Sequence, residues 1–348
     1  MNIVIIGSGF AGASVAWWLS RRGKGHNVTV LEQEDMPGMH SSGLNASLAS
    51  QFEEDPFNSP LAIDGTEFIR KPPDGFTEIP LIELNGSLFL MDAATEHIIR
   101  NGAAAKGAKI ISKKEASKKV PVIADAEFTS ALWTPDDGIV DIHAYLWAFI
   151  NGAKARGAKF VMNARIKGFK LEAGRIRKVE TTTATYPADI VVNAAGGWAQ
   201  VVAGLAGAED LEIRPFRRHL YCTPVMPEID PRWPFVWSIP HDYYFRPESG
   251  GLLMGACDEE EVPPAPPIVN PKIREVLAEK FSRHCPSLAN VSIAREWCGL
   301  RTFTPDRRPV IDFDKKVKNF FWIAALGGRG MTCAASAGRL AAEKILIT

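Results

Sequence analysis

The sequence predicts an α+β fold in which an antiparallel sheet is inserted into a core of parallel strands and helices. An apolar strand, a glycine-rich turn and a helix follow one another over residues 2–22. Two further apolar strands, within 188–199 and 320–332, also lead into glycines and a helix, as parallel strands do. Between them, residues 214–256 form short aromatic-rich strands separated by turns, which is typical of antiparallel sheets.

The composition indicates a globular protein with a small-molecule partner. Of 348 residues, 46% are apolar and 23% are charged, so a sizeable core is expected. Forty Lys and Arg balance 40 Asp and Glu, which argues against a nucleic-acid partner because such proteins carry an excess of basic residues. The five cysteines are scattered, without CxxC pairs or metal-ligand spacing, so we expect a reducing compartment and no metal site.

The sequence shows neither a secretory signal nor a membrane span. The apolar run near residue 3 lacks a basic flank before it and an A-x-A site after it. No window reaches about 18 uninterrupted apolar residues. We therefore expect a cytoplasmic protein without a transmembrane segment, and peripheral contact with the inner membrane stays open.

The opening stretch, "IVIIGSGFAGASVAWWLS", contains the GxGxxG pattern between a strand at Asn2–Ile6 and a helix at Phe10–Arg22. Each glycine has a physical reason in a dinucleotide site: Gly7 for the tight turn, Gly9 for close approach of a pyrophosphate, and Gly12 for close packing of helix on strand. The free amides at the start of the helix then stabilise the phosphates. The pattern therefore predicts a Rossmann-like nucleotide cradle.

An acidic residue completes this cradle. A second strand, Asn27–Leu31, ends at Glu32, about 20 residues after Gly12, where a carboxylate binds a ribose hydroxyl and disfavours a 2′-phosphate. A glycine turn in a βαβ unit that binds no nucleotide is the alternative. The cradle alone does not distinguish NAD from FAD.

The remaining elements are predicted from hydrophobic spacing and turn residues. Asn85-Gly86 favours a hairpin within 79–90, and Ser112 with Glu115 predicts a capping box that opens a short basic helix. Helices are expected at 61–70, 141–156 and 271–284, and hairpins around 172–174 and within 241–255.

Four blocks in order resemble those of the glycine oxidase, sarcosine oxidase and D-amino-acid oxidase superfamily of FAD enzymes: "GSGFAG" with Glu32, "PGMHSSGLNAS", "VVNAAGGWA" and "FFWIAALGGRGMT". The likeness runs almost from end to end. Three further pieces, "PPDGFTEIPL", "GLAGAEDLEIRPFRR" and "CGLRTFTPDRRPVI", are most similar to the D-arginine dehydrogenase branch.

The resemblance implies a glutathione-reductase-type FAD fold. Its FAD-binding domain would comprise residues 1–75, 130–213 and 296–348, and its substrate domain 76–129 and 214–295. It also implies FAD, most simply non-covalent, held by a set of loop and turn residues: Gly7, Gly9, Phe10, Ala11, Gly12, Glu32, Gln33, His40, Ser41, Ser42, Gly43, Asn45, Ala46, Ser47, Ala195, Gly196, Trp198, Gly299, Arg301, Gly327, Gly328, Arg329, Gly330, Met331 and Thr332. The turn at 327–332 would bring the positive end of a helix near flavin N1 and the C2 carbonyl.

Two arginines are candidates for binding the substrate. Arg301 lies in a strand-like apolar stretch, where a guanidinium needs an anionic partner, and Arg218 lies in a similar setting. By resemblance both bind the α-carboxylate of an amino acid, with Tyr244 as a third donor. Structural ion pairs remain alternatives for both arginines. Arg217 competes with Arg218, and Tyr243 competes with Tyr244, because neighbours on a strand face opposite ways.

The reaction implied is hydride transfer from substrate Cα to flavin N5, giving an imino acid and then a 2-oxo acid and ammonia. The expected substrate is a D-amino acid that is not basic, Thr332 joins the catalytic group, and O2 or a quinone or dye accepts the electrons. Alternatives are a secondary amino acid such as sarcosine or proline, glycine, a 2-hydroxy acid, an electron-relaying flavin subunit of a larger complex, or an NAD enzyme.

Several residues depart from the D-arginine branch. Leu48 stands in place of a histidine, "ASQFEED" lacks an expected tyrosine, and Ser87 lies near where an acid would meet a basic side chain. Arg329 suits either an acidic substrate side chain or the protein surface, and we expect the surface. His40 suits either a covalent link to FAD or a loop-shaping role beside a dissociable flavin, and we expect the latter.

Overall fold

The computed structural model describes residues 1–22, 25–53, 55, 57–102 and 106–347. Its strands are, in chain order, β1 (Asn2–Ile6), β2 (Asn27–Leu31), β3 (Leu48–Ala49), β4 (Ile82–Glu83), β5 (Ser87–Met91), β6 (Lys109–Ser112), β7 (Ser130–Thr134), β8 (Gly138–Val140), β9 (Lys159–Val161), β10 (Ile166–Glu172), β11 (Arg175–Thr181), β12 (Thr185–Pro187), β13 (Ile190–Asn193), β14 (Arg214–Cys222), β15 (Phe235–Ser238), β16 (Tyr243–Glu248), β17 (Gly251–Gly255), β18 (Glu260–Glu261), β19 (Arg295–Phe303), β20 (Val310–Phe313) and β21 (Phe320–Ala324). The α-helices are α1 (Phe10–Arg22), α2 (Ser59–Arg70), α3 (Ala93–Gly102), α4 (Lys113–Lys119), α5 (Ile142–Lys154), α6 (Ala199–Ala206), α7 (Lys272–His284) and α8 (Ala334–Ile347).

A six-stranded sheet forms the nucleotide-binding core, in the order β20-β21-β13-β1-β2-β9. Its strands are parallel except for the edge strand β20, which runs antiparallel to β21. β1, α1 and β2 have the bounds that the sequence predicts, because an apolar strand followed by glycines is a strong local pattern. The fold class is confirmed.

Each face of this sheet is covered by a separate layer. Helices α1, α5 and α8 pack on one face, where the aromatic rings of Trp17, Tyr145 and Phe149 fill the core. On the other face lie α6 and the three-stranded sheet of β10, β11 and β12, packed through Ile176 and Val179. The carboxyl ends of the parallel strands are thus left open to a ligand, as in other α/β nucleotide-binding domains.

A nine-stranded, mainly antiparallel sheet provides the second body of structure. Its order among the described residues is β18-β14-β17-β16-β15-β5-β7-β6, with β19 paired along β14. One face packs on α4 and α7, and the other faces the nucleotide-binding core. Ser112 caps α4, and both hydrogen bonds of the predicted capping box to Glu115 are present.

The hairpin predicted at Asn85-Gly86 is wrong. β4 pairs with β8, whereas β5 pairs with β7 and β15, so the turn joins two different sheets. Position 86 still requires a glycine, since its φ is +78°. The turn residues were recognised, but the strand partners lie far away in the chain.

Two strands bear on the expected division into domains. β7 and β19, which fall in segments assigned to the FAD-binding domain, pair within the nine-stranded sheet. β19 therefore connects the two bodies, and the boundaries themselves stay a prediction. Among the described residues, no helix combines the length and apolar character needed to cross a bilayer.

Candidate active site

A cavity of about 510 Å³ lies between the six-stranded and nine-stranded sheets. At one end it is lined by the glycine turn after β1, together with Glu32 and Gln33 after β2. At the other end it is lined by side chains of the nine-stranded sheet, including Arg218, Trp237 and Tyr244. The cavity therefore has a nucleotide end and a second end, called the polar end here because it carries the guanidinium of Arg218.

The glycines at the nucleotide end are required by close contacts. Gly7 has a φ of +100°, and a Cβ there would lie 2.5 Å from the carbonyl oxygen of Ala194. A Cβ on Gly12 would lie 1.9 Å from the carbonyl oxygen of Gly7. Gly9 lies against the Ser42 hydroxyl, 2.7 Å from where its Cβ would be. This cradle fits a dinucleotide pyrophosphate because its glycines let a phosphate approach the backbone amides of the turn and of the start of α1 closely.

Glu32 is held in place by hydrogen bonds at the same end. One carboxylate oxygen accepts from the Ser8 amide at 2.8 Å and from the Ser8 hydroxyl at 2.6 Å. The other accepts from the Glu34 amide at 3.1 Å. The carboxylate is thereby fixed at the carboxyl end of β2, which is the position from which ribose hydroxyls are bound in this type of fold.

The loop after β2 contributes His40, Ser41 and Ser42. His40 Nε2 lies 2.8 Å from Glu34 Oε1, and its ring contacts that of Trp198 with centroids 4.6 Å apart. Ser42 Oγ accepts from the Phe10 amide at 3.0 Å, so a hydroxyl oxygen lies at the start of α1 where a phosphate oxygen is expected. Ser41 donates to the Leu300 carbonyl at 2.6 Å and links this loop to β19.

Most of the residues predicted to hold FAD line the cavity. They are Gly7, Gly9, Phe10, Ala11, Glu32, Gln33, His40, Ser41, Ser42, Asn45, Ala46, Ser47, Ala195, Gly196, Trp198, Gly299, Arg301, Gly327, Gly328, Arg329, Gly330 and Met331. Gly12 and Gly43 lie behind the wall, where each packs against a backbone carbonyl. Their contribution is to the shape of the cradle.

Thr332 was expected in the catalytic group, and the structure places it elsewhere. Its side chain is 1% exposed, it does not line the cavity, and its hydroxyl donates to the Leu48 carbonyl at 3.1 Å. Helix α8 begins at Ala334, so Thr332 lies in the turn before the helix. Thr332 therefore ties this turn to β3 and does not line the cavity.

At the polar end, Arg218 presents donors that are buried and unsatisfied. Its Nη2 donates to Glu259 at 2.9 Å, while Nε and Nη1 have no partner among the described residues. Arg217, the competing residue, is bonded to Glu260 and to the Ile268 carbonyl outside the cavity. The alternation of β14 thus turns Arg218 inward and Arg217 outward.

Arg301 lies on β19, next to β14, with Phe216 as its register partner. It has no ion-pair partner among the described residues. Burial lowers the pKa of its guanidinium to about 10, and the positive charge of Arg218 acts in the same direction. Two guanidinium groups held close together without enough carboxylates favour the binding of an anion.

Tyr244 supplies a third donor. Its hydroxyl is buried without a partner among the described residues, and burial raises its pKa to about 12, so the group stays protonated. The competing Tyr243 points to the opposite face of the sheet, where its hydroxyl donates to the His284 carbonyl at 3.3 Å. The arrangement of Arg218, Arg301 and Tyr244 suits a planar carboxylate.

The expectation that Arg329 lies on the surface is wrong. Its side chain is 21% exposed, its Nε lies 2.6 Å from the Glu53 carboxylate, and its Nη2 donates to the Phe52 carbonyl at 3.0 Å. It lines the cavity, with its guanidinium 5.9 Å from the centroid of the Trp237 ring. Arg329 therefore belongs to the polar end of the cavity.

Sequence reasoning missed Trp237, Glu53 and Glu259. Their partners lie far away in the chain, as with Arg329 and Phe52, which are 277 residues apart. Two acidic runs were the available signals: "ASQFEED", which follows the flavin-loop segment, and "CDEEEV" at 257–262.

The cavity fits FAD, because a tight glycine cradle, a fixed acid and a second end with unsatisfied donors form one continuous space. A model of the FAD dependent oxidoreductase family, DAO, matches residues 2–344. The chain belongs to this family. FAD is accordingly its cofactor, and the resemblance to this superfamily is confirmed, whereas the D-arginine branch stays a prediction.

Individual relatives are similar over nearly the whole chain. Mouse dimethylglycine dehydrogenase is 24% identical over 99% of this chain, which spans only 42% of that protein. A D-amino acid dehydrogenase of Paramagnetospirillum magneticum is 22% identical over 99% of this chain and 95% of its own length. The solved structure of L-proline dehydrogenase from P. horikoshii superimposes with a TM-score of 0.85 at 26% identity, covering 100% of this chain and 93% of that one.

Proposed function

We propose that this protein is an FAD-dependent dehydrogenase or oxidase that oxidises the Cα–N bond of an amino acid. The observation that carries the proposal is a set of donors in the same cavity as the nucleotide cradle. Buried donors of Arg218 and Tyr244 have no partner among the described residues, and Arg301 has no ion-pair partner there. We further propose that the substrate has the D configuration, which the similarity to a D-amino acid dehydrogenase supports. The substrate is not basic in this proposal, since Leu48 and Ser87 replace the groups expected to bind a basic side chain.

In this proposal the arginines bind and orient the substrate. The α-carboxylate pairs with Arg301 and with the free nitrogens of Arg218, while Tyr244 donates a further hydrogen bond. Charge-assisted bonds in a fixed fork limit the orientations of Cα, and such positioning is the protein's main contribution in cofactor chemistry. FAD, when bound, accepts the hydride that leaves Cα.

We assign no general base. Among the described residues that line the cavity, the acid and imidazole groups are Glu32 and His40, and both are engaged by neighbouring polar groups. The amine is therefore expected to react in its neutral form. The imino acid formed takes up water and gives a 2-oxo acid and ammonia.

A secondary or tertiary amine is the second candidate substrate. It is supported by the similarity to dimethylglycine dehydrogenase and to L-proline dehydrogenase, whose names give N-substituted amino acids as substrates. Such a substrate presents the same carboxylate to the same donors, so the two candidates differ only around nitrogen.

Anaerobic reduction of the flavin tests both candidates. The holoprotein is mixed with D-, L- and N-methyl amino acids, the flavin absorbance is followed, and air or a dye is then admitted. Bleaching by neutral or acidic D-amino acids supports the proposal, and bleaching by N-methyl amino acids alone supports the second candidate. If no amino acid reduces the flavin, the proposed function is wrong. Reoxidation by air distinguishes an oxidase from a dehydrogenase.

A further inference from the structure

Arg329 adds a third guanidinium to the cavity wall. Its side chain is held in position by residues that do not line the cavity. Its Nε lies 2.6 Å from the carboxylate of Glu53, and its Nη2 donates to the Phe52 carbonyl at 3.0 Å. Its Nη1 makes no hydrogen bond within the described part of the chain. The guanidinium therefore keeps a charged donor available to the cavity.

The segment that holds Arg329 is itself anchored by a buried carboxylate. Asp137, which is 0% exposed, accepts from the Ser50 hydroxyl at 2.8 Å, the Gln51 amide at 3.0 Å and the Thr134 hydroxyl at 2.6 Å. Burial raises the pKa of Asp137. Segment 50–53 is thus a rigid support, and Arg329 is a preorganised part of the wall.

The charges at the polar end of the cavity favour a ligand that carries more than one carboxylate group. The cavity is lined there by Arg218, Arg301 and Arg329, while Glu53 and Glu259 pair from outside the lining. The side chain of Glu53 is 8% exposed, so its carboxylate is largely withdrawn from the cavity. A ligand in the cavity is therefore closer to the guanidinium groups than to the two carboxylates.

The two anion positions are close to each other. A Cβ built on Gly328 would lie 2.9 Å from Cζ of Arg301, so the guanidinium of Arg301 rests on the backbone of the residue before Arg329. A ligand that spans both guanidinium groups is therefore short.

We propose that Arg329 binds a second carboxylate of the substrate, so that the substrate class is short amino dicarboxylates, with the second carboxylate on the side chain or on the nitrogen. This inference rests on the proposed function, because it assigns Arg301 and Arg218 to the α-carboxylate. Arg329 is a specificity residue in this account, and the indole of Trp237 limits the space beside it.

Binding of inhibitors to the holoprotein tests this without turnover. The probes are malonate and succinate against acetate and propionate, and the readouts are calorimetry and the perturbation of the flavin spectrum. Wild type is expected to bind at least one dicarboxylate about tenfold or more tightly than the monocarboxylate, as one further charge-assisted bond allows. Arg329→Gln is expected to lose this preference, because its affinity for the dicarboxylate falls much more than its affinity for acetate.

Two further variants keep the test sharp. Glu53→Gln removes the competing carboxylate, so the affinity for the dicarboxylate is expected to rise. Arg339→Gln is the matched control, because Arg339 pairs with Asp64 on the exposed side of α8 and does not line the cavity. Flavin absorbance per chain shows whether each variant still folds around FAD.

The inference is overturned if wild type binds the mono- and dicarboxylates equally, or if Arg329→Gln weakens both alike. Substrate panels separate this from the proposed function. If neutral amino acids reduce the flavin as well as aspartate and iminodiacetate do, the proposed function stands and the role of Arg329 is wrong. If no amino acid reduces it, the proposed function fails, whatever the inhibitors show.

Discussion

Arg218 and Glu259 form an ion pair of 2.9 Å that leaves two of the three guanidinium nitrogens of Arg218 buried without a partner in the described residues. Glu259 is held at the same time by Arg307, whose Nη2 donates to its two oxygens at 3.0 and 3.1 Å. The carboxylate therefore does not depend on Arg218 alone. Arg218 is oriented by its partner and still able to bind an anion.

Arg218→Gln is expected to lower kcat/KM for amino acids by about 100-fold or more, since truncating one member of a buried charge pair costs on the order of 2–5 kcal/mol. FAD content should stay normal because Arg307 still pairs with Glu259. Arg217→Gln is the matched control, as its guanidinium bonds outside the cavity. Equal losses in the two variants would contradict the assignment of Arg218.

Tyr244→Phe is expected to lower kcat/KM about tenfold or more, because one hydrogen bond to a charged carboxylate is lost, and to leave the melting temperature nearly unchanged. Its hydroxyl has no partner in the described residues, so no internal bond is broken. Tyr243→Phe reverses the pattern, since its hydroxyl donates to the His284 carbonyl. Steady-state kinetics and thermal unfolding of both variants measure this difference.

The affinity for a carboxylate inhibitor is expected to fall as the pH rises through about 10, the value to which burial lowers the pKa of Arg301. Below that pH the guanidinium is charged and binds the anion. Above it, the dissociation constant should rise by up to about tenfold per pH unit. Arg301→Gln should bind weakly at every pH, and a variant that binds the inhibitor as tightly as wild type would contradict the role of Arg301.

Gly12→Ala is expected to abolish FAD binding, because its Cβ would lie 1.9 Å from the Gly7 carbonyl oxygen and would displace the turn that carries the amides. Gly204→Ala is the control: it lies in α6 and a Cβ there meets nothing within 4 Å. The measurement is flavin absorbance per purified chain. A Gly12→Ala protein with a full complement of FAD would show that the cradle tolerates the shift.

Acid or heat is expected to release FAD into the supernatant, since His40 is oriented by Glu34 and Trp198 as a loop-shaping residue. His40→Ala should lower FAD affinity without changing whether the flavin is dissociable. Absorbance of the precipitate and the supernatant after acid treatment decides the matter. Yellow colour that stays with the wild-type precipitate and is lost in His40→Ala would indicate a covalent link.

The sequence was most informative where structure is determined locally. β1, α1 and the capping box at Ser112 follow from glycines, apolar runs and cap residues within a few positions of each other. Strand partners are a different matter. Asn85-Gly86 is a good turn, but β4 and β5 find their hydrogen bonds in other sheets, and no local pattern records that.

The candidate site divides in the same way. Arg218 and Arg301 could be singled out because a charged group in an apolar strand needs a partner. Arg329 could not be placed, because its environment depends on Glu53 and Phe52 from a distant loop. The position of Thr332 could not be predicted for a related reason. The Leu48 carbonyl that accepts the hydrogen bond from its hydroxyl is 284 residues away in the chain.

The residues that line the cavity extend along the chain from Ile6 to Met331. Because the chain is synthesised from its amino terminus, they become available to the cavity one after another. At about 5–20 residues per second, a ribosome needs roughly 15 to 65 s between the first and last of these positions. During that interval the glycine cradle can form, but the flavin has no complete pocket to enter. Closure of the pocket is therefore one of the last steps in the synthesis of this chain, because residues 327–331 join its wall after all the other lining residues.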